Sequence, residues 1–286
     1  MSGEASTLMP ALFVGHGSPM NTLTRNRYTS TWAALAKSMP KPRALLVISA
    51  HWYIGATAVT AMARPRTIHD FYGFPRELFA FQYPAPGAPQ LAQEIAELVK
   101  PTWVGLDGEQ WGLDHGTWSV LAHMYPNADV PVVQLAINAS KPPEYHLKLG
   151  ASLASLRARG VAIIGSGNVV HNLHLVDPGQ PESGFPWARR FDDAVHQVVT
   201  SDASNVLECT TYADYALAAP TPDHFLPLLY IAGVAGSQPL TSVLRGYSHG
   251  SLSMTAYAVG LHALHVAAGG AAAALPRDVP ADQTNT

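Results

Sequence analysis

The sequence predicts a single α/β domain, a three-layer sandwich in which helices cover both faces of a mostly parallel or mixed sheet. Two observations lead to this fold class. Short runs that are apolar throughout recur along the chain, and segments with helical periodicity lie between several of them. Strands buried on both faces are typical of parallel sheets between two helical layers. The chain has 286 residues, 48% of them hydrophobic, which is enough to fill such a core.

Five apolar runs are the predicted strands. They are ALFVG (11–15), ALLVIS (44–49), TAVTAM (57–62), VPVVQLA (130–136) and VAIIGSG (161–167). The predicted helices contain the segments TWAALAKSM, APQLAQEIAELVK, TWSVLAHMY and EYHLKLGASLASLRARG. No linker rich in Gly, Ser or Pro separates two domains, so we expect one domain over residues 1–268 and a flexible tail over residues 269–286.

Charge and cysteine content limit the classes of partner. The formal net charge is -3, and the 17 basic and 20 acidic residues form no blocks, so we expect neither nucleic acid nor anionic lipid as a partner. The single cysteine, Cys209, excludes an internal disulfide framework and any Cys-based zinc motif. With no signal-peptide pattern and no convincing membrane span, we expect a cytoplasmic protein that binds a small molecule; homo-oligomerisation is left open.

The placement of the histidines is the strongest functional signal. Of the 13 histidines, His16, His51 and His171 each close an apolar run, and His224 precedes the helical segment FLPLLY. In open α/β sheets, ligands bind in the crevice beyond the carboxyl ends of the strands. Histidines distant in sequence can therefore converge on one site, and without further cysteines a metal must be held by His, Asp or Glu.

Each histidine also has a structural interpretation, because a lone histidine is usually a hydrogen-bonded packing residue. We expect that role for seven of them: His69, His123, His146, His174, His196, His262 and His265. The segment GSGN (165–168) lacks the lysine and spacing of a phosphate-binding loop. Neither Ser18 nor Ser166 sits in the G-x-S-x-G motif of a hydrolase nucleophile.

Six blocks together resemble a known family. In order they are GHGSPM (15–20), SAHW (49–52), DHGTW (114–118), GSGNVVHNL (165–173), DHFLPLLY (223–230) and GSLSMTAY (250–257). They are similar to the class III extradiol ring-cleavage dioxygenases, in particular the 4,5-DOPA dioxygenase type. The resemblance covers roughly residues 11–260, and six blocks in the same order are far more specific than any one of them.

The resemblance implies a non-haem Fe(II) site, with Zn(II) sometimes present in purified members. It makes His16 and His51 the first two metal ligands. His224 stands where more distant protocatechuate-cleaving relatives have a glutamate, which departs from the two-histidine, one-carboxylate triad. By the same resemblance, His171 corresponds to the acid/base catalyst and is either that alone or also a fourth metal ligand, while His115 corresponds to a histidine that contacts substrate or oxygen.

The function expected from this resemblance is the opening of a DOPA-like catechol ring with O2. Two alternatives remain. One is a zinc-dependent hydrolase on the same scaffold, in which zinc-bound water attacks and His171 acts as base. The other is a non-catalytic protein that binds a metal or a catechol.

Several neighbouring residues have two interpretations at this point. Asp114 and Asp223 either orient the adjacent histidines or cap helices. His249 either reaches the pocket or packs in the core. The loop at 71–89 is rich in proline and aromatic residues, three of which we expect to form a lid over a ring-shaped ligand: Tyr72, Phe74 and Tyr83.

Overall fold

A computed structural model describes residues 8–261 and 270–276 of the chain. Its strands are β1 (Ala11–Gly15), β2 (Ala44–Ile54), β3 (Ala58–Thr60), β4 (Gly105–Asp107), β5 (Val132–Asn138), β6 (Val161–Gly167), β7 (Thr241–Leu244), β8 (Tyr247–Ser248), β9 (Leu252–Ser253) and β10 (Ala256–Val259). Eight of them form one sheet in the order β4-β3-β5-β2-β6-β1-β10-β7. Strands β8 and β9 form a separate antiparallel pair.

The middle of the sheet is parallel. Strands β5, β2, β6 and β1 run in the same direction, whereas β10 and β7 continue the sheet antiparallel beyond β1. On the other side, β3 pairs antiparallel with β5 and parallel with β4. Because the parallel strands sit in the centre with both faces covered, most of their residues are apolar. The expected mixed sheet is confirmed.

Helices cover both faces of this sheet. They are α1 (Arg27–Ser38), α2 (Arg76–Ala80), α3 (Pro89–Leu98), α4 (His115–Met124), α5 (Pro143–Leu153), α6 (Pro186–Ser201), α7 (Tyr215–Ala218) and α8 (Leu226–Ala235). Short 3-10 helices span Pro19–Leu23, Ala154–Arg159, Leu173–Leu175 and Ala203–Thr211. Along β1, Phe13 packs in one buried cluster with α3, α5, α6 and α8, while Leu12 packs in a second cluster with α1 and α4. This alternation of side chains produces the three layers.

All five predicted strands overlap an observed strand. The other five strands have no predicted counterpart. Strands β4, β7 and β10 have three or four residues each and lie outside the parallel centre, and β8 and β9 have two each. Within the described part of the chain, no helix is long and apolar enough to cross a membrane.

Residues 270–276 pack against the domain. The backbone N–H of Ala273 donates to Asn21 Oδ1 at 2.9 Å, and Ala272 is buried. The boundary at residue 268 and the flexibility of the tail stay predictions. The predicted packing histidines His262 and His265 lie outside the described residues.

His146 on α5 is a buried core histidine, as expected. Its Nδ1 lies 3.0 Å from the Tyr230 hydroxyl, and its Nε2 has no hydrogen-bond partner among the described residues. Burial lowers the pKa of His146 to about 4. A histidine in the unfolded chain titrates near pH 6.5, so the unfolded state gains this proton first as the pH falls. The buried, neutral His146 therefore makes its full contribution to the free energy of unfolding above pH 6.5. This contribution is lost as the pH falls from 6.5 to about 4.

His146→Gln tests this acid sensitivity, because glutamine keeps a polar partner for Tyr230 but does not titrate. Lowering the pH from 7 to 5 is expected to cost the wild-type protein about 2 kcal/mol more unfolding free energy than the variant. Urea unfolding at both pH values measures the difference. Equal losses in the two proteins would show that another group dominates the acid response.

Candidate metal centre

Five histidines line one pocket at the carboxyl ends of the central strands. His16 follows β1, and His171 follows β6. His51 lies in β2, where the register with β5 shifts between Ile48 and Tyr53. The other two are His115, the first residue of α4, and His224, two residues before α8. Histidines from five segments meet here, as the position of ligand sites in open α/β sheets predicts.

Glycines allow these segments to approach one another. Gly17 has a φ of +59°, a left-handed conformation that turns the chain directly after His16 and that glycine adopts without strain. A Cβ on Gly167 would lie 2.2 Å from the carbonyl oxygen of His224. The close contact of β6 with the segment before α8 therefore requires glycine at 167, and the N–H of Asn168 donates to that same carbonyl at 2.9 Å.

Three of the histidines present their ligand atoms to one another. One nitrogen from each of His16, His51 and His115 lies within 4.8 Å of the other two, and all three residues are buried. The Nε2 atoms of His16 and His51 are 3.1 Å apart. Two imidazole nitrogens that each lie about 2 Å from one ion are separated by roughly 3 Å. The spacing of this pair fits joint coordination of a metal.

The tautomer of His16 follows from its partner on β6. The Ser166 hydroxyl donates to the carbonyl of Gly116 at 2.5 Å, so its oxygen accepts from Nδ1 of His16 at 3.0 Å. A histidine that donates through Nδ1 keeps a lone pair on Nε2. Ser166 thus leaves the Nε2 lone pair of His16 available to a metal ion.

Asp70 sets the tautomers of two further histidines. Its Oδ2 accepts from Nδ1 of His115 at 2.8 Å and lies 3.3 Å from Nδ1 of His51, and its Oδ1 accepts the backbone N–H of His115 at 3.0 Å. The two imidazole rings are in contact, with centroids 3.7 Å apart. The hydrogen bond from Nδ1 leaves the lone pair of His115 on Nε2, and the same buried carboxylate faces Nδ1 of His51.

His224 has the same arrangement with a different carboxylate. Its Nδ1 is hydrogen-bonded to the neighbouring Asp223, while its buried Nε2 has no hydrogen-bond partner in the described part of the chain. The centroid of its ring lies 5.2 Å from that of His16 and 4.9 Å from that of His51. The ring of His171 stacks on it in parallel, with centroids 3.5 Å apart and an interplanar angle of 2°.

Burial favours the neutral form of three of these imidazoles. Loss of hydration, reinforced by the neighbouring imidazoles, holds the pKa of His16, His51 and His171 well below the ordinary value. Burial opposes ionisation of Asp223, but the adjacent His224 outweighs it and lowers the pKa of that carboxyl. Neutral histidines are the form that binds a metal ion.

The residues present fit a divalent transition metal. The Nε2 atoms of His16 and His51 lie close together, and the buried Nε2 of His224 has no hydrogen-bond partner among the described residues. A cation between the rings would satisfy these nitrogens. Imidazole suits iron, zinc, copper and nickel alike, so the donor set does not select among them.

The two aspartates beside site histidines have different roles. Asp114 caps α4 by accepting the N–H of Thr117 at 3.2 Å, and it also accepts from the Ser49 hydroxyl at 2.7 Å. Burial and the nearby Asp70 raise the pKa of Asp114 to about 6. Asp223 orients its neighbour His224 directly.

The predicted aromatic lid is wrong. Phe74 and Tyr83 pack in the core cluster below α1 and α4, where the Tyr83 hydroxyl donates to the carbonyl of Tyr125 at 2.9 Å. Tyr72 is 61% exposed, and none of the three lines the pocket. His249 is buried beside Ser248, with 2.6 Å between Nδ1 and Oγ, and it also lies outside the pocket lining.

Sequence reasoning missed Asp70. It lies in the long connection between β3 and α2, with no motif spacing to link it to the histidines. The one available signal was an acidic residue directly before the aromatic run FYGF. Ser166 was considered only as a nucleophile, whereas it is a hydrogen-bond partner of His16.

Curated relatives resemble this chain over most of its length. A 4,5-DOPA dioxygenase extradiol of Escherichia coli K12 is 48% identical over 261 residues, which cover 90% of this chain and 96% of the relative. A protein of the same name from Beta vulgaris is 36% identical over 259 residues, 87% of this chain and 96% of that one. The resemblance inferred from the sequence blocks is confirmed.

A solved structure and a family model agree with these relatives. The crystal structure of an uncharacterized E. coli K12 protein superposes with a TM-score of 0.77 at 44% identity, covering 88% of this chain and 99% of that one. Residues 11–260 match the family model of the catalytic LigB subunit of aromatic ring-opening dioxygenases. With its histidine pocket inside that match, the chain belongs to the LigB family of aromatic ring-opening dioxygenases.

Proposed function

We propose that this protein is a non-haem, metal-dependent extradiol dioxygenase that opens the ring of a DOPA-like catechol with O2, and that Fe(II) is the metal that supports turnover. The observation that carries the proposal is the pocket of inward-facing histidines at the carboxyl ends of the sheet, inside a chain of a ring-opening dioxygenase family. The names of the relatives support DOPA as the substrate class.

His16 and His51 are the proposed core of the ligand set, with His224 as third ligand and His171 beside it as a candidate fourth. The partnerless Nε2 of His224 supports its inclusion. The distances between imidazole nitrogens favour His115 as the third ligand instead, because its nitrogen lies within 4.8 Å of those of His16 and His51. The ligand variants treated in the Discussion separate these two sets.

A bound Fe(II) ion would supply open coordination positions for catecholate and O2 and the redox chemistry that overcomes the spin barrier to their reaction. The chain contributes neutral ligands, and neutral histidines leave the full charge of the ion to favour a doubly deprotonated catecholate. His171, held neutral by burial, accepts a proton from a catechol hydroxyl and returns it when the ring opens. His115, held by Asp70, orients the substrate or oxygen.

The test is anaerobic reconstitution of the full chain with Fe(II) or with Zn(II), followed by exposure to air with a catechol panel that includes DOPA. We expect O2 uptake and a yellow ring-opened product only in the iron sample, because zinc has no redox chemistry. Metal occupancy is measured in both samples before substrate is added.

The outcomes separate the three candidate functions. Absence of O2 uptake with every catechol, at verified iron occupancy, would contradict the dioxygenase proposal. Hydrolysis by the zinc sample without oxygen would then favour the zinc hydrolase. Binding of a catechol without any product would favour a binding protein.

The cellular setting is also a proposal. The charge and cysteine content support a cytoplasmic enzyme, and they support a small molecule as partner in preference to nucleic acid. Homo-oligomerisation is tested directly by the molar mass of the purified protein in solution.

A further inference from the structure

The metal pocket is too small for an aromatic ring in the arrangement described. Besides the histidines, its walls include the side chains of Leu173, Leu252 and Leu275. Its free volume is about 10 Å³, roughly the room needed by one water molecule. A protein cavity that takes up benzene measures about 150 Å³. Binding of a catechol therefore requires that one wall moves.

Two of the three leucines are held by regular structure. Leu252 lies in β9 and forms a backbone bridge with His171. Leu173 begins a 3-10 turn whose cap, Asn172, accepts the N–H of His174 at 3.2 Å. Displacing either residue would shift the segment that carries His171, so neither is free to move independently of the site.

Leu275 belongs to the segment 270–276, which has no helical or strand structure. The segment contacts the domain through Ala272, which is buried against the cluster of α1 and α4, and through the N–H of Ala273, which donates to Asn21 Oδ1 at 2.9 Å. Leu275 itself is half-buried and packs against the same cluster. Of the three apolar walls, this one has the least backbone support.

Asn21, which holds this segment, also contacts the metal site. Asn21 is completely buried, and its Nδ2 donates to the carbonyl of His16 at 3.0 Å. Its Oδ1 accepts from Asn26 Nδ2 at 2.8 Å as well as from Ala273. The position of Leu275 is thus fixed relative to a proposed metal ligand through one asparagine side chain.

We propose that Leu275 is the displaceable wall of the metal pocket and determines which ring substituents it accepts. Residues 270–276 move outward to admit the ring, and Leu275 then packs against the substituent. This inference rests on the proposed function, since it assumes that a catechol binds at the metal. An apolar wall favours substituents whose first atoms are apolar, as in the methylene group of DOPA.

The test measures ligand binding and needs no turnover. The full chain is loaded with Zn(II), and 4-nitrocatechol is used as the probe because its absorbance changes on coordination. Leu275→Ala shortens the wall, Leu275→Trp enlarges it, and Ala273→Pro removes the N–H that holds the segment to Asn21. Leu106→Ala, which truncates an exposed leucine on β4, is the matched control.

We expect Leu275→Ala and Ala273→Pro to raise the association rate by at least about five-fold, since a larger fraction of molecules is open. Leu275→Trp is expected to weaken binding by about ten-fold, and the control is expected to match the wild type. Association rates and dissociation constants within two-fold of wild type in all three variants would overturn the proposal. Failure of 4-nitrocatechol to bind even Leu275→Ala would overturn it as well.

The experiments distinguish a wrong role for Leu275 from a wrong proposed function. If substitution of Leu275 changes the binding of 4-nitrocatechol but the iron enzyme consumes no O2, the proposed role of Leu275 is supported and the dioxygenase proposal fails. If the iron enzyme cleaves catechols but the binding of 4-nitrocatechol is unchanged by substitution of Leu275, the dioxygenase proposal stands and the proposed role of Leu275 is wrong.

Discussion

Replacing His16 by alanine is expected to abolish metal binding and ring cleavage together. The variant removes one of two Nε2 atoms that lie 3.1 Å apart in a set of few ligands. Loss of a group that merely orients a ligand typically costs 10-fold to 100-fold in affinity, so loss of the ligand itself should cost more than about 100-fold. Metal content after reconstitution with Fe(II) or Zn(II), together with O2 uptake on a catechol, measures the effect; the same result is expected for His51→Ala.

The control is His146→Gln, which alters a buried histidine on α5 away from the pocket. It should retain full metal content and turnover. Circular dichroism of each apoprotein establishes that the variants fold. Full metal occupancy in folded His16→Ala would contradict its role as a ligand.

The same experiment distinguishes the two ligand sets. His224→Ala is expected to empty the site, because His224 presents a buried Nε2 without a hydrogen-bond partner among the described residues. His115→Ala and His171→Ala are expected to keep the metal and to lose turnover. If His115→Ala empties the site and His224→Ala does not, the third ligand is His115, in agreement with the group of mutually close nitrogens.

The central sheet and the place of the site were predictable from the sequence. Runs such as 44–49 and 161–167 are apolar throughout because both faces of these strands are covered, and this pattern is local. Since parallel strands end at one edge, histidines that close them must lie near each other. The convergence of His16, His51 and His171 therefore followed from strand direction alone.

The supporting interactions were not predictable in the same way. Asp70 reaches His51 and His115 through a long loop, and the path of such a loop depends on tertiary packing. The composition of the segment 71–89 predicts a lid that includes Phe74 and Tyr83, but such aromatic side chains gain more free energy by filling the core. The contact of Leu275 with the pocket likewise depends on tertiary contacts: the hydrogen bond of Ala273 and the packing of Ala272 and Leu275 against the core.

Asp70→Asn is expected to weaken metal binding by about 10-fold to 100-fold while the protein stays folded. The carboxylate accepts from two N–H groups of His115, the imidazole Nδ1 and the backbone, and it also lies 3.3 Å from Nδ1 of His51. An amide has only one acceptor oxygen. If its NH2 group faces the rings, an imidazole must accept through Nδ1 and carry its proton on Nε2, where it blocks the metal. Competition for Zn(II) against a chelator measures the affinity.

The matched control is Asp129→Asn, which removes the charge of an exposed aspartate paired with Lys41. It should bind Zn(II) as the wild type does, because screening by water makes such a surface pair a weak contributor. Asp70→Ala separates the loss of the charge from the change of tautomer. It removes the acceptor beside both rings but adds no NH2 group that would place a proton on Nε2. We therefore expect Asp70→Ala to bind metal more tightly than Asp70→Asn. The reverse order, or wild-type affinity in both, would contradict tautomer control by Asp70 and leave His51 and His115 positioned by packing alone.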